Sequence, residues 1–322
     1  MDKRINSVYI WVLIVSLFYL TGCSGGMNDG DIVVEPGQSI QSAIDNASSG
    51  ETVWVKPGTW TLNSALLMKR GVSVKAYEDM VAYDWDSDTV NPDHPYIIPG
   101  HCDECGIRWN TNQGDNEFSG FEIAGGHSGL DIHADNVTVT NNWIHDTDLT
   151  SIFIASSSNI LIEHNKTERD GQDCTSDAWT NSVDGSHTSP RHCHSIYLSN
   201  IPGFCGMSNV TVRENYLSYS GGSAVNFNGN ECAIAGQPGI DDTLIELNTI
   251  VNVKVGPALW HGTSGTVIRD NDITILEPYT PPNATDDLPV GMKCGIVAWD
   301  ESPTNSGNTF NLRSDYDQFC QY

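Results

Sequence analysis

The chain has 322 residues, with 41 Asp and Glu against 15 Lys and Arg, so its formal net charge is −26. It therefore lacks the basic footprint that nucleic-acid binding requires, which excludes that class of function. About 290 residues follow the N-terminal segment without a linker, which is enough for one elongated domain.

The N-terminus has the features of an export signal. A basic head precedes an apolar run, Val8 to Tyr19, that is too short to span a membrane as a helix. The sequence Leu20-Thr21-Gly22-Cys23 that follows resembles the bacterial lipoprotein box. That resemblance implies a signal peptide over residues 1–22, a lipid on Cys23 and attachment of the protein to the cell envelope.

Residues 23–31 then form a glycine-rich, flexible tether. No aspartate directly follows Cys23. By the same resemblance, this favours the outer membrane, on its periplasmic or surface face. The alternative is an ordinary cleaved signal in which the cysteine is incidental.

A short helix and a strand open the domain, which begins at residue 32. Apolar residues at Ile40, Ala43, Ile44 and Ala47 have the spacing of one helix face. Residues 51–60 predict the first strand and its turn.

The main feature of the sequence is an apolar strand that ends in asparagine and recurs five times. A β-branched residue stands three positions before each asparagine. Two pairs of these asparagines are 23 residues apart, and a fixed period of this size is typical of a stacked solenoid. We expect the asparagines to form an internal ladder of side-chain amides at a bend of each coil. They are Asn142, Asn165, Asn215, Asn248 and Asn271.

Each repeat also contains a second strand. Its apolar and polar residues alternate, which places successive side chains on opposite faces of a strand. No helical stretch separates the strands, so the pattern predicts a parallel β-helix with coils about 4.8 Å apart. The second strands are Leu130–His133, Ile152–Ala155, Ile196–Ser199, Val225–Asn228 and Ile296–Trp299, with Leu259–His261 a poorer match.

The opening helix, the first strand and the repeats together resemble the right-handed β-helix proteins of the pectate-lyase-like group. The resemblance covers roughly residues 32 to 310. It implies an all-β, right-handed parallel β-helix over residues 32–322 with a short N-terminal capping helix, and it implies the activity of a polysaccharide lyase or a uronate epimerase.

The chain departs from this group at its activity motifs. It has no convincing match to the lysine-and-arginine signature of the alginate and chondroitin lyases, or to the Asp-Pro-His motif of the mannuronan epimerases. It also lacks the Gly-His-Gly and paired-aspartate motifs of the polygalacturonases. The resemblance therefore specifies the fold better than the reaction.

Nine cysteines are present, and eight remain once Cys23 carries lipid. An even number outside the cytoplasm suggests disulfides. A metal site at His101, Cys102 and Cys105 is the alternative for the first pair, although one Cys-x-x-Cys sequence is a weak zinc signal. The expected pairs are Cys102–Cys105, Cys174–Cys193, Cys205–Cys232 and Cys294–Cys320.

Three insertions lengthen the repeats beside the second strand, at about residues 166–194, 229–241 and 277–294. Loops that grow on one face of a solenoid commonly wall a binding groove. We therefore expect the functional site on the face of the second strands.

Outward positions of the second strands carry aromatic and amide side chains. Such a row suits a polysaccharide, because apolar sugar faces stack on rings while amides bond hydroxyl groups. Rings that are simply covered by the loops are the alternative. The predicted substrate-binding residues are Phe153, Tyr197, Asn226, Asn228, Trp260 and Trp299.

Basic residues are scarce, so those that border the second strands are candidates for catalysis. Arg191 or Lys254 could hold a uronate carboxylate, while Tyr197, His194 or His133 transfers protons. β-Elimination needs these groups: one neutralises the carboxylate, one removes the adjacent proton and one protonates the leaving oxygen. A packed or surface imidazole is the alternative for each histidine.

Acidic residues offer two further possibilities. Asp131, Asp146 and Asp148 are weak candidates for calcium ligands, since many proteins of this group use calcium. Asp131 with Asp148 or Asp177 is the best carboxylate pair for a glycoside hydrolase.

The sequence thus predicts a cell-surface, carbohydrate-active monomer that cleaves a uronate-containing polysaccharide by β-elimination. Hydrolysis, uronate epimerisation and glycan binding without turnover are the alternatives. The expected partner is an extracellular polysaccharide, and the expected contact with a membrane is through the lipid on Cys23.

Overall fold

The computed structural model of the chain describes residues 27–84, 89–91, 93–99, 106–172, 193–201, 205–229, 232, 236, 239–281, 293–299 and 302–322. Within these residues the chain winds in successive coils, which add strands to three parallel sheets. The predicted parallel β-helix is therefore confirmed. We name the sheets A, B and C in the order in which a coil passes through them.

Sheet A contains the apolar strands that precede the asparagines. Every second side chain points inward, and Val139, Ile162 and Val212 are fully buried. The strands pair in chain order, with Thr263–Ser264 beside the strand at 240–246. They are Ile32–Val34, Thr52–Val55, Ser73–Ala76, Asn116–Ser119, Val137–Thr140, Ile160–Glu163, Met207–Arg213, Ile240–Glu246, Thr263–Ser264, Val267–Arg269 and Thr304–Ser306.

Sheet B follows sheet A and has short strands. Its inward column includes Ile123, Ile144, Leu217 and Ile250, all fully buried. The strands are Gly58–Thr61, Pro95–Ile98, Glu122–Ala124, Trp143–His145, Lys166–Glu168, Tyr216–Ser218, Thr249–Val251, Asp272–Ile275 and Thr309–Leu312.

Sheet C consists of the predicted second strands and further strands in the first and last coils. Ile132, Ile154, Leu198 and Phe227 form one of its fully buried inward columns. The strands are Leu66–Leu67, Ile107–Trp109, Ser128–Ile132, Thr150–Ala155, Ile196–Ser199, Val225–Asn228, Ala258–Leu259, Cys294–Ala298 and Asp317–Gln321.

A helix covers the first coil, as predicted. It spans Ile40–Asn46, and the side chain of Ser39 caps it by accepting a hydrogen bond from the Ser42 amide at 3.1 Å. The other described elements outside the sheets are a 3₁₀ turn, Tyr77–Asp79, and an antiparallel pair, Tyr83–Asp84 with Thr89–Val90. In the described part of the chain, no helix is long and apolar enough to cross a membrane.

Two of the expected disulfides are present, Cys205–Cys232 and Cys294–Cys320, with Cα atoms 5.7 and 6.0 Å apart. Cys193 is also disulfide-bonded. Its expected partner, Cys174, lies outside the described residues, as do Cys102, Cys105 and Cys23. The signal peptide and the lipid anchor stay predictions.

The corner from sheet A to sheet B has two residues in each described coil from the strand Asn116–Ser119 onward. The first corner residue adopts a left-handed conformation, as in His164 with φ of 51° and Leu247 with φ of 56°. The second is an asparagine whose side chain turns into the solenoid, except in the first of these coils, where it is Phe121.

The predicted asparagine ladder is confirmed and has six members. Nδ2 of each asparagine donates to Oδ1 of the next one, over 2.8 to 3.1 Å. Each Oδ1 also accepts the backbone amide of the preceding asparagine. The sixth member, Asn308, was not predicted, because the strand before it, Thr304–Ser306, has no apolar residue.

A line of charged side chains stabilises the outer face of sheet B. Glu122 contacts Nε2 of both His94 and His145, at 3.0 Å for His145. Nδ1 of His145 is 2.7 Å from Asp146, which accepts two hydrogen bonds of 2.7 Å from Arg169. Because both nitrogens of His145 face carboxylates, its charged form is favoured.

The protonation of this line follows from these contacts. Burial lowers the pKa of His145, but the hydrogen bonds to Asp146 and Glu122 raise it by more, so it lies above its ordinary 6.5. Burial raises the pKa of Glu122, but the two histidines lower it to about 2. Glu122 is therefore ionised at neutral pH, and its contact with His145 favours the charged form of the imidazole.

We expect Asn215→Ala to destabilise the fold by about 3 kcal/mol, because the buried backbone amide of Asn165 loses its acceptor and the side-chain amides of Asn165 and Asn248 each lose one hydrogen bond. Asn209 provides a matched control, since it belongs to an exposed asparagine row where the chain enters sheet A, bonded to Asn159 at 2.8 Å. Asn209→Gly, which suits the left-handed backbone there, should cost less than about 1 kcal/mol. Urea unfolding measures both, and equal losses would show that the internal ladder has no special role.

We expect stability to fall as pH rises above about 6.5, since a histidine with a raised pKa stabilises the fold only while it is charged. The contribution is complete below the unfolded pKa and is lost as pH rises through the folded one. His145→Gln should flatten this slope in urea unfolding measured between pH 6 and 9. His164→Gln, measured in EDTA, is the control, because His164 is 44% exposed and solvent screens its contact with Glu214; equal slopes in the two variants would contradict the assignment.

Candidate functional site

The outer face of sheet C carries the residues predicted to bind substrate, in two columns. Strand register places Phe153, Tyr197 and Asn226 in one column. Trp260 and Trp299 lie in the neighbouring column, beside Asn228. The backbone amide of Trp260 donates to the carbonyl oxygen of Phe227, and that of Trp299 donates to the carbonyl oxygen of Leu259. The aromatic residues thus share a face, as predicted, but do not form one row.

The rings of this face stack on each other along the solenoid. Phe153 lies 5.4 Å from Tyr197, and Trp299 lies 5.8 Å from Trp260 and 4.9 Å from Tyr322. Tyr197 and Trp260 are buried, at 5% and 8% exposure. The rings therefore pack partly against one another, and sugar stacking by these residues stays a prediction.

The two amides predicted to bind sugar hold the rings in place. Oδ1 of Asn226 accepts a hydrogen bond of 2.5 Å from the indole of Trp260, and Asn226 is almost fully buried. Nδ2 of Asn228 donates to the hydroxyl of Tyr197 at 3.1 Å. Asn228 remains half-buried and is the more accessible of the two.

The predicted catalytic residues His194 and Lys254 lie at the corner between sheets B and C. Each is 1% exposed. Nδ1 of His194 accepts the amide of Ser223 at 3.0 Å, and the backbone amide of Lys254 donates to the carbonyl oxygen of Gly222 at 3.1 Å. The structure brings both residues to one corner but buries both side chains. Arg191 lies outside the described residues.

A buried carboxyl group lies at the same corner, in the same coil as His194. Oδ1 of Asp170 accepts hydrogen bonds from the hydroxyls of Ser151 and Thr147. Burial raises the pKa of Asp170 to about 7, against the lowering effect of these hydroxyls. The corner is thus polar but closed to solvent in the described part of the chain.

Three polar side chains from two consecutive coils form a solvent-accessible line on sheet C. Oδ2 of Asp131 is 3.2 Å from Nε of Arg108, and Oδ1 is 2.6 Å from Nε2 of His133. Their side chains are 27%, 24% and 22% exposed, for Arg108, Asp131 and His133 respectively. The ring of His133 also meets Phe153 edge to face, at 5.9 Å.

This line sets the chemistry of His133. An ionised carboxylate can only accept hydrogen bonds, so Nε2 of His133 must donate to Asp131. In the neutral imidazole the lone pair is then on Nδ1. His133 is therefore oriented as a general base, by the same logic that orients the histidine of a hydrolase triad.

An open pocket of about 230 Å³ adjoins His133 at the corner from sheet C to sheet A. Arg70, Asp115 and Asn136 line it beside His133. Nε of Arg70 donates to Asp115 at 2.8 Å while the arginine side chain stays 69% exposed. Hydrogen bonds from Arg70 and Asn136 hold the pKa of Asp115 below its ordinary value. The pocket thus combines a base, a cation and amide groups.

Arg70 and Arg108 were not identified from the sequence. Arg108 lies between apolar Ile107 and Trp109, so its alternation is a signal that could have placed it on sheet C, one coil before Asp131. Arg70 lies in a corner loop that no repeat pattern marks.

The three aspartates proposed as calcium ligands do not lie together, and two of them contact basic side chains in different sheets. Asp131 is bonded to Arg108 and His133, whereas Asp146 is bonded to Arg169 and His145 on sheet B. Asp148 lies at the corner that follows. Among the described residues these three do not form a group with ligand atoms within 4.8 Å of one another. Calcium binding stays a prediction.

Several solved structures are similar to this chain at low sequence identity. The catalytic domain of a GH87 alpha-1,3-glucanase in complex with nigerose matches with a TM-score of 0.51 and 14% identity, over 87% of this chain and 45% of that one. An alginate lyase from Paenibacillus sp. str. FPU-7 matches with a TM-score of 0.47 and 11% identity, over 87% and 95% of the two chains. PfbA, a surface adhesin of Streptococcus pneumoniae, matches with a TM-score of 0.45 and 12% identity, over 90% and 91%.

At 14% identity the glucanase match shows the fold alone, and this chain spans less than half of the glucanase chain. No curated protein matches the sequence. A family model described as "Right handed beta helix region" matches residues 101–273, which is more than half of the chain. The chain therefore belongs to the family of right-handed β-helix proteins.

Proposed function

We propose that this protein binds an acidic polysaccharide across the outer face of sheet C and cleaves it by β-elimination, with His133 as the base. The observation that carries the proposal is the oriented imidazole of His133, held by Asp131 at 2.6 Å and open to a pocket that contains Arg70. His194 and Lys254 have no part in it, because their side chains are buried.

Each step has a candidate group. The guanidinium of Arg70 would pair with the uronate carboxylate and lower the cost of the charge that develops there. Nδ1 of His133 would remove the proton from the carbon next to the carboxylate. The freed electron pair forms the carbon–carbon double bond, the bond to the glycosidic oxygen breaks, and the imidazolium returns the proton to that oxygen.

A second function, glycan binding without turnover, is favoured by one observation. Both arginines of the site are already paired with protein carboxylates, Arg70 with Asp115 and Arg108 with Asp131. Such pairs reduce the positive charge available to a uronate. Amides and hydroxyls would then bind a polysaccharide without activating it.

We expect His133→Gln to lower kcat by about 100-fold or more, because a general base contributes 10²–10⁴ to the rate. Alginate, pectate, chondroitin and ulvan would be screened with the wild-type protein for an unsaturated, ultraviolet-absorbing product. Arg70→Gln should mainly raise KM, and Arg269→Gln, which removes an ion-paired arginine on sheet A, should change neither constant.

The same screen separates the alternatives. New reducing ends without ultraviolet absorbance would indicate a hydrolase, and an altered sugar ratio at constant chain length an epimerase. Saturable binding with no product would support the second function. A lyase whose activity survives His133→Gln would disprove the assignment of the base.

We also expect the rate on any polyuronate at low substrate concentration to rise with added NaCl up to about 0.15 M. Protein and substrate are both strongly negative, and the Debye length shortens from about 30 Å at 0.01 M salt to about 8 Å at 0.15 M. Salt therefore screens a repulsion before it weakens the local contact with Arg70. A rate that falls steadily with salt, together with normal binding of neutral glycans, would contradict this prediction. It would show that the attraction of the substrate to Arg70 outweighs the overall repulsion between protein and substrate.

A further inference from the structure

Three potential metal ligands meet on the side of the solenoid away from sheet C. Glu163, His164 and Glu214 each offer one ligand atom, and these atoms all lie within 4.8 Å of one another. Nε2 of His164 is 2.7 Å from Glu214 Oε2. We propose that this cluster, which we name the corner site, binds a divalent transition-metal ion such as Zn²⁺ and clamps two consecutive coils.

Two of the three ligands occupy the same position in consecutive coils. His164 and Glu214 are both first residues of the two-residue corner between sheets A and B, with φ of 51° and 54°. Coils stack about 4.8 Å apart, so the two side chains leave the corner next to each other. The ladder residues that follow them, Asn165 and Asn215, are joined at 3.1 Å and fix the spacing.

The donor set indicates the kind of ion. Imidazole with carboxylates suits zinc and its neighbours, whereas calcium and magnesium prefer sites made of oxygen alone. Three protein ligands leave one tetrahedral position for water. The side chains of Glu163, His164 and Glu214 are 17%, 44% and 41% exposed, so an ion can enter from solvent.

One neighbouring residue opposes the ion. Arg213 donates to Oε2 of Glu163 through Nε at 2.8 Å and Nη2 at 2.7 Å. Its guanidinium repels a metal ion and occupies one carboxylate oxygen. Removal of Arg213 should therefore tighten binding, although it removes an ion pair from the apo protein.

The chain provides matched controls in the two coils that follow. Arg269 pairs with Glu246 on sheet A as Arg213 pairs with Glu163. The corner there begins with Leu247, which is 50% exposed and has the same left-handed backbone but offers no ligand atom.

The test is calorimetric titration of EDTA-treated, full-length protein with Zn²⁺, together with thermal unfolding. We expect one site with a Kd in the micromolar range and a rise in Tm of about 4–5 °C at 100-fold excess over Kd. His164→Gln and Glu214→Gln should each abolish this site, and Arg213→Gln should lower Kd several-fold. Arg269→Gln and Leu247→Gln should leave it unchanged, and Ca²⁺ should not replace Zn²⁺.

Other results would overturn the proposal. Zinc binding that persists in both His164→Gln and Glu214→Gln would place the ion elsewhere. Equal effects of Arg213→Gln and Arg269→Gln would show that only the net charge of the surface matters. The site is remote from sheet C, so either result leaves the proposed lyase activity untouched.

Discussion

The structure depends on the exchange of hydrogen bonds between buried asparagines at the corner from sheet A to sheet B. A solenoid has no separate core against which a corner can be buried, so the polar groups of each corner must be satisfied by the coils beside it. Each asparagine does this by donating to the next amide and to backbone carbonyls, as Asn215 does with Asn248, Ile162 and Arg213. This exchange fixes the register of the coils.

Fixed register determines what can meet on the outer faces. Side chains at equal positions of consecutive coils form columns, and a slip of one residue in a strand would exchange its inward and outward side chains. Arg108 and Asp131 are neighbours for this reason, as are Glu163 and Arg213 on sheet A. The candidate base, His133, is oriented by the carboxylate two residues before it, so its geometry also depends on the strand.

Much of the fold was predictable from the sequence, and less of the site. Five ladder asparagines and the inward residues around them follow a period that the sequence displays. The three-residue strands of sheet B, such as Trp143–His145, are too short to show alternation. The alternation of the strand places His133 and Asp131 on an outer face. The burial of His194 and Lys254 could not be predicted, because alternation ends where a strand meets its corner. Arg70 and His133 line the same pocket from different coils, and no local sequence pattern predicts that they lie near each other.

The constant length of the corner between sheets A and B has a consequence for how such chains can diverge. An added residue there would displace a buried asparagine from the line and break contacts with both neighbours, whereas the asparagine row between sheets C and A is exposed. The longer segments of this chain, near residues 166–194, 229–241 and 277–294, all fall at the other two corners. New loops, and with them new specificities, are therefore confined to the borders of sheet C.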